Sequence, residues 1–352
     1  MYKAFFNLEC NPFELTPDPA FLFTTKRHNE ALAALYYGVR KHKGFVVVTG
    51  EIGTGKTLLL RCLLQQLMQS EDVAYAYLFN GLLSPKELLQ YIVSDFGLNA
   101  SGKNKSQLLF ELSQFVISRG SKNLTTVLIL DEAHLLSGAI LEEIRLLTNL
   151  ETIQAKLLQI VLVGQPELDQ KLDSFELRQL KQRIALRAHL EPMNAIETKG
   201  YIEQRLKIAG VSNPATHLFP DAAIASVFRY SRGFPRLINT ICENALIAAY
   251  AKQIRSLTPA MIEDVSKELR IGLSEDDRGS PRDGGGPEID RVNQTDSLNG
   301  AESPKDDAWS REHVPARTEL VRDVPESNGS LSRCAVGNLQ VFDANSRLSE
   351  QP

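Results

Sequence analysis

Between the apolar run Phe45-Val46-Val47-Val48-Thr49 and the leucine-rich stretch Leu58 to Met68 stands Gly50-Glu51-Ile52-Gly53-Thr54-Gly55-Lys56-Thr57, a sequence that few folds accept. The β-branched run predicts a buried strand and the leucine spacing predicts a helix, so the glycines must turn the chain within a few residues. Glycine lets the backbone wrap closely, and successive N–H groups then converge with the helix N-terminus on one anion. Phosphate is the guest of this pattern, the phosphate loop or Walker A sequence. The segment Gly50, Glu51, Ile52, Gly53, Thr54, Gly55, Lys56, Thr57 and Leu58 is therefore read as the nucleotide-binding element. Lys56 is expected to reach the β- and γ-phosphates of ATP as a point charge, and the Thr57 hydroxyl to ligate Mg2+. A chance glycine-rich turn is the bland alternative, and the complete motif between strand and helix disfavours it.

A second stretch, Val127-Leu128-Ile129-Leu130-Asp131-Glu132, is apolar and ends in two acids. A central parallel strand reads this way and delivers carboxylates to its C-terminal edge, where ligand crevices lie. Asp131 is expected to hold the Mg2+ shell and Glu132 to polarise the attacking water, the Walker B roles. Alone, the pair could be a helix cap; beside the phosphate loop it points to a nucleotide hydrolase. Asp131-Glu132-Ala133-His134 also spells a helicase box, but other helicase landmarks are not evident, and His134 reads as an ordinary residue opening a helix.

Length and composition bound the rest. The 352 residues, 43% of them hydrophobic, allow two or three domains with a sizeable core. Cys10, Cys62, Cys242 and Cys334 lie far apart with no C-x-x-C pair, which indicates neither a zinc site nor a disulfide framework and suits reduced thiols. No export signal and no apolar run of about 18 residues is evident, so a cytoplasmic protein is expected, peripheral at a membrane only through a partner. The net charge of −4 is unevenly placed: from Gly272 onward there are 9 Lys+Arg against 16 Asp+Glu, leaving 30 basic and 27 acidic residues before it. That small basic excess neither demands nor excludes nucleic acid.

Along the chain, residues 1–29 are rich in aromatics and prolines and predict an ordered, irregular arm packed on the first domain. Helical spacing from Glu30 to Lys41, a strand from Val73 to Phe79, a capping box opening at Ser84, a helix from Ser106 to Ser118, another from Leu141 to Leu150 and strands Leu157 to Val163 and Ala185 to Leu190 predict a parallel α/β sheet over 30–192. Four helical patterns, Ala195 to Ala209, Asp221 to Tyr230, Pro235 to Ala251 and Thr258 to Leu269, predict a small all-helical lid over 193–271. Residues 272–352 turn polar and acidic, the composition of a disordered tail. Trp309 and the patch Leu331 to Phe342 read either as a docking segment or as having no defined role.

The order of these pieces resembles AAA+ ATPases, specifically the ExeA/GspA family of the general secretion pathway, over about residues 1 to 271. The likeness is carried by Asn11-Pro12-Phe13 with Thr16-Pro17-Asp18-Pro19, the Gly50 loop, Asp131-Glu132-Ala133, Gly164-Gln165-Pro166-Glu167-Leu168, and Gly233-Phe234-Pro235-Arg236-Leu237-Ile238-Asn239. The resemblance implies that Gln165 senses the γ-phosphate, that Asn80 restrains the catalytic glutamate, and that Arg236 reaches the nucleotide from the lid. It also implies that Arg183, or its competitor Arg178, is an arginine finger inserted into a neighbour's site, so that activity needs a homo-oligomer. Each has a plainer reading: Gln165 and Asn80 as turn residues, Arg236 as a surface arginine. Aromatics of the arm near Pro19, Phe21 and His28 either enclose adenine or simply pack.

Members of that family typically continue into a membrane span and a periplasmic peptidoglycan-binding domain, whereas this chain continues into a polar tail. The function the resemblance implies is Mg2+-dependent ATP hydrolysis coupled, through an unidentified and membrane-associated protein partner, to assembly or export of cell-envelope components. The alternative is a DNA-dependent ATPase of the transposition target-selection type, with DNA as partner, which the charge does not indicate.

Overall fold

The apolar runs form five parallel strands, β1 (Phe45–Gly50), β2 (Val73–Leu78), β3 (Thr125–Leu130), β4 (Leu158–Gly164) and β5 (Ile184–Leu190), in the order β2-β3-β4-β1-β5. The computed structural model describes residues 2–79, 83–152, 155–211 and 218–272. Asn80, Trp309 and the Leu331 to Phe342 patch lie outside them. Strands β1, β3 and β4 are buried end to end, whereas β2 and β5, at the two edges, are half-buried, which is why only the central runs read as uninterrupted apolar sequence.

Side chains of a strand alternate between its two faces, so each central strand feeds two cores. Val46, Val48, Val127, Ile129, Val161 and Val163 meet the helices Lys26–Arg40 and Lys56–Met68 through Leu35, Leu59 and Leu63. Phe45, Val47, Leu128, Leu130, Ile160 and Leu162 meet the helices Pro85–Asp95, Lys105–Gly120 and Gly138–Leu147 on the other face. The register pairs Thr49 of β1 with Gly164 of β4, and Leu130 of β3 with Leu162 of β4. The C-terminal ends of β1 and β3 therefore open on one edge with the end of β4 between them.

Capping residues set the helix starts. The Ser84–Glu87 box opens Pro85–Asp95 as expected. The first long helix begins at Lys26, ahead of the expected Glu30, because the Thr25 hydroxyl accepts the backbone N–H of His28 and adds a turn.

Helices Ala195–Ile208, Asp221–Ser231, Pro235–Ala251 and Pro259–Glu268 enclose a separate core around Ile202, Phe219, Ile238, Leu246 and Ile262. The N-terminal arm departs from expectation here. Its apolar residues Tyr2, Leu8 and Phe13 belong to this helical core, not to the sheet's. The fully buried Phe13 ring stands 5.7 Å from that of Phe219, Arg205 donates to the Pro12 carbonyl at 2.7 Å, and Tyr2 donates to Glu243 at 2.7 Å. Only the arm's end turns to the α/β part, where Arg61 of the phosphate-loop helix donates to the Pro17 carbonyl at 2.5 Å. The physical reason is that four short helices cannot close a core alone, and the arm's aromatic rings supply the missing apolar area.

Candidate active site

The phosphate loop leaves β1 at Gly50 and enters its helix at Lys56. Lys56 is buried, and its ammonium donates to the carbonyls of Gly50 at 2.7 Å and Glu51 at 3.0 Å. Burial pulls its pKa down, opposed first by Glu132 and then by Asp131, Glu51 and Glu167. The acids that end β3 thus act electrically on the lysine that follows β1. The Thr54 hydroxyl donates back to the Glu51 carbonyl at 2.8 Å and closes the loop on itself. Thr57 and Leu58 are half-buried, while Glu51 and Ile52 are exposed.

Two outside groups brace this loop. The buried imidazole of His28 has Nε2 2.9 Å from the Thr54 carbonyl and Nδ1 2.7 Å from the Thr25 hydroxyl. Since a carbonyl only accepts, the proton sits on Nε2, and Nδ1 accepts from Thr25. Burial holds the His28 pKa below the ordinary 6.5, against the Thr54 carbonyl and Glu197. His28, offered by the sequence as part of an adenine enclosure, is here bonded to the phosphate loop itself. The second brace comes from the helical part: the Arg236 N–H donates to the Gly53 carbonyl at 3.3 Å. Gly53 has φ +83°, and a Cβ there would lie 2.9 Å from Arg236 Cβ. The Arg236 guanidinium is exposed and has no ion-pair or hydrogen-bond partner among the described residues.

At the end of β3, Asp131 is buried and accepts from the Tyr77 hydroxyl at 2.9 Å through Oδ2 and from the Glu132 N–H at 2.9 Å through Oδ1. Burial, then Asp131, raises the Tyr77 pKa, so the phenol stays a donor. Tyr77 carried no signal in the sequence; the pairing of β2 with β3 brings it here.

Glu132 adopts φ +50°, a left-handed conformation that costs a non-glycine residue about 1–2 kcal/mol. Strain of this kind concentrates at functional sites. Glu132 Oε2 is shielded from solvent without an aligned hydrogen bond, and lies 3.3 Å from His134 Nδ1. His134 sits in the 3-10 turn Ala133–Leu135 rather than opening an α-helix, and its Nε2 is 2.9 Å from the amide nitrogen of Gln165. The structure therefore joins Glu132 and Gln165 through a residue that sequence reading set aside.

The two candidate fingers differ. Arg183 is half-buried and turned onto its own chain, where it donates to the Arg145 carbonyl at 3.3 Å and to the Thr148 hydroxyl. Arg178 is exposed, stacked 4.0 Å from the centroid of the exposed Phe175 ring, and donates to the Phe175 carbonyl at 3.0 Å.

A family model described as an AAA domain matches residues 39–172. General secretion pathway protein A of Aeromonas hydrophila is 46% identical over 254 residues, which cover 72% of this chain and 45% of that protein. The chain thus spans less than half the length of that curated relative. Among solved structures, the Aeropyrum pernix ORC2 protein superposes with a TM-score of 0.56 at 18% identity, covering 74% of this chain and 72% of that one. The Thermotoga maritima RuvB Holliday junction branch migration motor does so at 0.51 and 18%, covering 75% and 78%. At such identities these structures bear on the fold alone. Residues 39–172, on the five-stranded parallel sheet, thus match an AAA domain, and the chain resembles general secretion pathway protein A over the 254 residues the two share.

Proposed function

We propose that this ATPase binds Mg2+-ATP at the edge where the phosphate loop, β3 and β4 end, and that Glu132 orients the attacking water. One observation carries the reading: Lys56 lies in the electrostatic field of Glu132 and Asp131, and Glu132 Oε2 is shielded from solvent with its lone pairs unfilled by an aligned donor. A buried, unsatisfied carboxylate oxygen is costly unless a donor such as a water fills it.

The residues fit both absent groups. The loop's glycine backbone and Lys56 suit a triphosphate, while Thr57 and Asp131 suit Mg2+. Among the described residues no group of three or more His, Cys, Asp or Glu gathers that could hold a metal. Mg2+ needs no such cage, being held by one or two protein oxygens, water and substrate phosphates. When bound, it neutralises charge on the phosphates. Lys56 would exchange its loop carbonyls for phosphate oxygens, Glu132 would accept the water's hydrogen bond and hold it in line, and Gln165 and Arg236 would contact the γ-phosphate side from β4 and the lid. Asn80, the expected restraint on Glu132, lies outside the described residues. Arg178 is the better-placed finger for a neighbouring copy in a homo-oligomer.

The 46% identity to general secretion pathway protein A supports a role in assembling or exporting cell-envelope components through a protein partner. Among the described residues no helix is long and apolar enough to cross a membrane. The purified Glu132→Gln variant should bind ATP and fail to hydrolyse it; normal turnover would sink the assignment. Partners captured by that ATP-locked variant test the envelope role, and turnover strongly stimulated by DNA with a steep salt dependence would replace it with the DNA-dependent alternative.

A further inference from the structure

We propose that His134 is a positioning residue that ties Glu132 to Gln165, so that the orientation of the water-polarising carboxylate depends on what Gln165 contacts. The inference rests on the assignment of Glu132 above. Four observations carry it. His134 Nδ1 lies 3.3 Å from Glu132 Oε2, and its Nε2 lies 2.9 Å from the Gln165 amide nitrogen. The turn that carries the imidazole is pinned from outside, because Lys171 donates to the His134 and Leu136 carbonyls. The turn also packs closely on the end of β4, where a Cβ on Gly164 would lie 3.0 Å from the His134 backbone nitrogen. Finally, the His134 side chain is only 12% exposed, so the ring has little room to leave.

The chemistry of the ring makes the link directional. A neutral imidazole carries one N–H and one acceptor. The two Gln165 groups beside the ring select opposite tautomers: the side-chain amide donating to Nε2 leaves the ring proton on Nδ1, beside Glu132, whereas the backbone N–H donating to Nδ1 leaves it on Nε2. When the Gln165 amide turns away toward a phosphoryl oxygen, Nε2 loses its donor. The proton can then sit on Nε2, and Nδ1 becomes an acceptor for the Gln165 backbone N–H, 3.4 Å away. Glu132 would then lose the N–H that faces it. One imidazole thereby reads the position of Gln165 and transmits it to Glu132 without moving far.

The test is a double-mutant cycle on the full-length protein, with nucleotide affinity measured on a fluorescent ATP analogue and turnover measured separately. His134→Ala should lower kcat about tenfold or more with KM for ATP little changed, the scale of one hydrogen bond to a charged group. Gln165→Ala should cost less in the His134→Ala background than in the wild type, because the part of its effect that runs through the imidazole is already lost while its phosphoryl contact is lost in both. His134→Asn, whose amide nitrogen replaces Nδ1 but cannot reach the Gln165 side-chain amide, should restore part of kcat without restoring the coupling to Gln165→Ala. Fully additive effects of His134→Ala and Gln165→Ala, or an unchanged kcat in His134→Ala, would overturn the proposal. Glu132→Gln, run alongside, separates the two readings: if it hydrolyses ATP normally, the assignment of Glu132 fails independently of the His134 cycle.

Discussion

The backbone N–H of Arg236, in the first turn of the helix Pro235–Ala251, donates to the carbonyl of Gly53 at 3.3 Å, so the helical part is bonded to the tip of the phosphate loop. A lid joined at this point senses loop geometry directly, whereas its guanidinium is left free to act on a nucleotide.

Gly53→Ala should therefore damage two things at once, the left-handed turn and the approach of Arg236. The conformational strain is about 1–2 kcal/mol, and the clash at 2.9 Å falls on Arg236 Cβ rather than on a mobile side-chain tip. Nucleotide affinity should fall at least about tenfold, the equivalent of that strain, while circular dichroism keeps the wild-type helix and strand content. Wild-type affinity would show that the loop relaxes without cost.

The pH dependence of stability should carry a mark of His28. Its folded pKa lies below 6.5, so between the two values the unfolded chain binds the proton better. Stability is then full above the unfolded pKa and falls as pH drops through it toward the folded value. His42, also depressed by burial, contributes in the same direction. Urea denaturation between about pH 5 and 8 should show this slope, and His28→Gln should flatten it in part; an unchanged slope would place its origin elsewhere.

Arg183 and Arg178 should separate by experiment. Arg183→Ala removes donors to the Arg145 carbonyl and the Thr148 hydroxyl, and should destabilise the fold by about 1–2 kcal/mol. Arg178→Ala, on an exposed residue, should leave the unfolding midpoint nearly unchanged yet cost turnover steeply, on the order of 10³-fold if it serves a neighbouring site. Mixing it with the Glu132→Gln variant should restore activity in mixed oligomers, and failure to do so would count against a shared site.

Phe13→Ala should cost about 3–5 kcal/mol, as expected for a ring with no exposed surface against Phe219. Because that core belongs to the helical part, limited proteolysis should cut first within 193–271 while the sheet persists. Simultaneous loss of both parts would show that they unfold as one.

What this sequence determined by itself is what acts locally. The glycine loop needs its strand and helix, an apolar run ending in two acids marks β3, and capping pairs such as Ser84–Glu87 announce helix starts, because each depends on neighbours a few residues away. Tertiary structure alone decided the partnerships. Strand order put β4, and with it Gln165, between the loop and Glu132; the pairing of β2 and β3 brought Tyr77 to Asp131; and a 3-10 turn aimed His134 at both Glu132 and Gln165. The arm went to the helical core because that core lacked apolar area, a deficit no local pattern records. Sheet order, core filling and side-chain direction depend on residues distant in the chain, so the motifs announced the fuel and only the fold showed how the residues around it are connected.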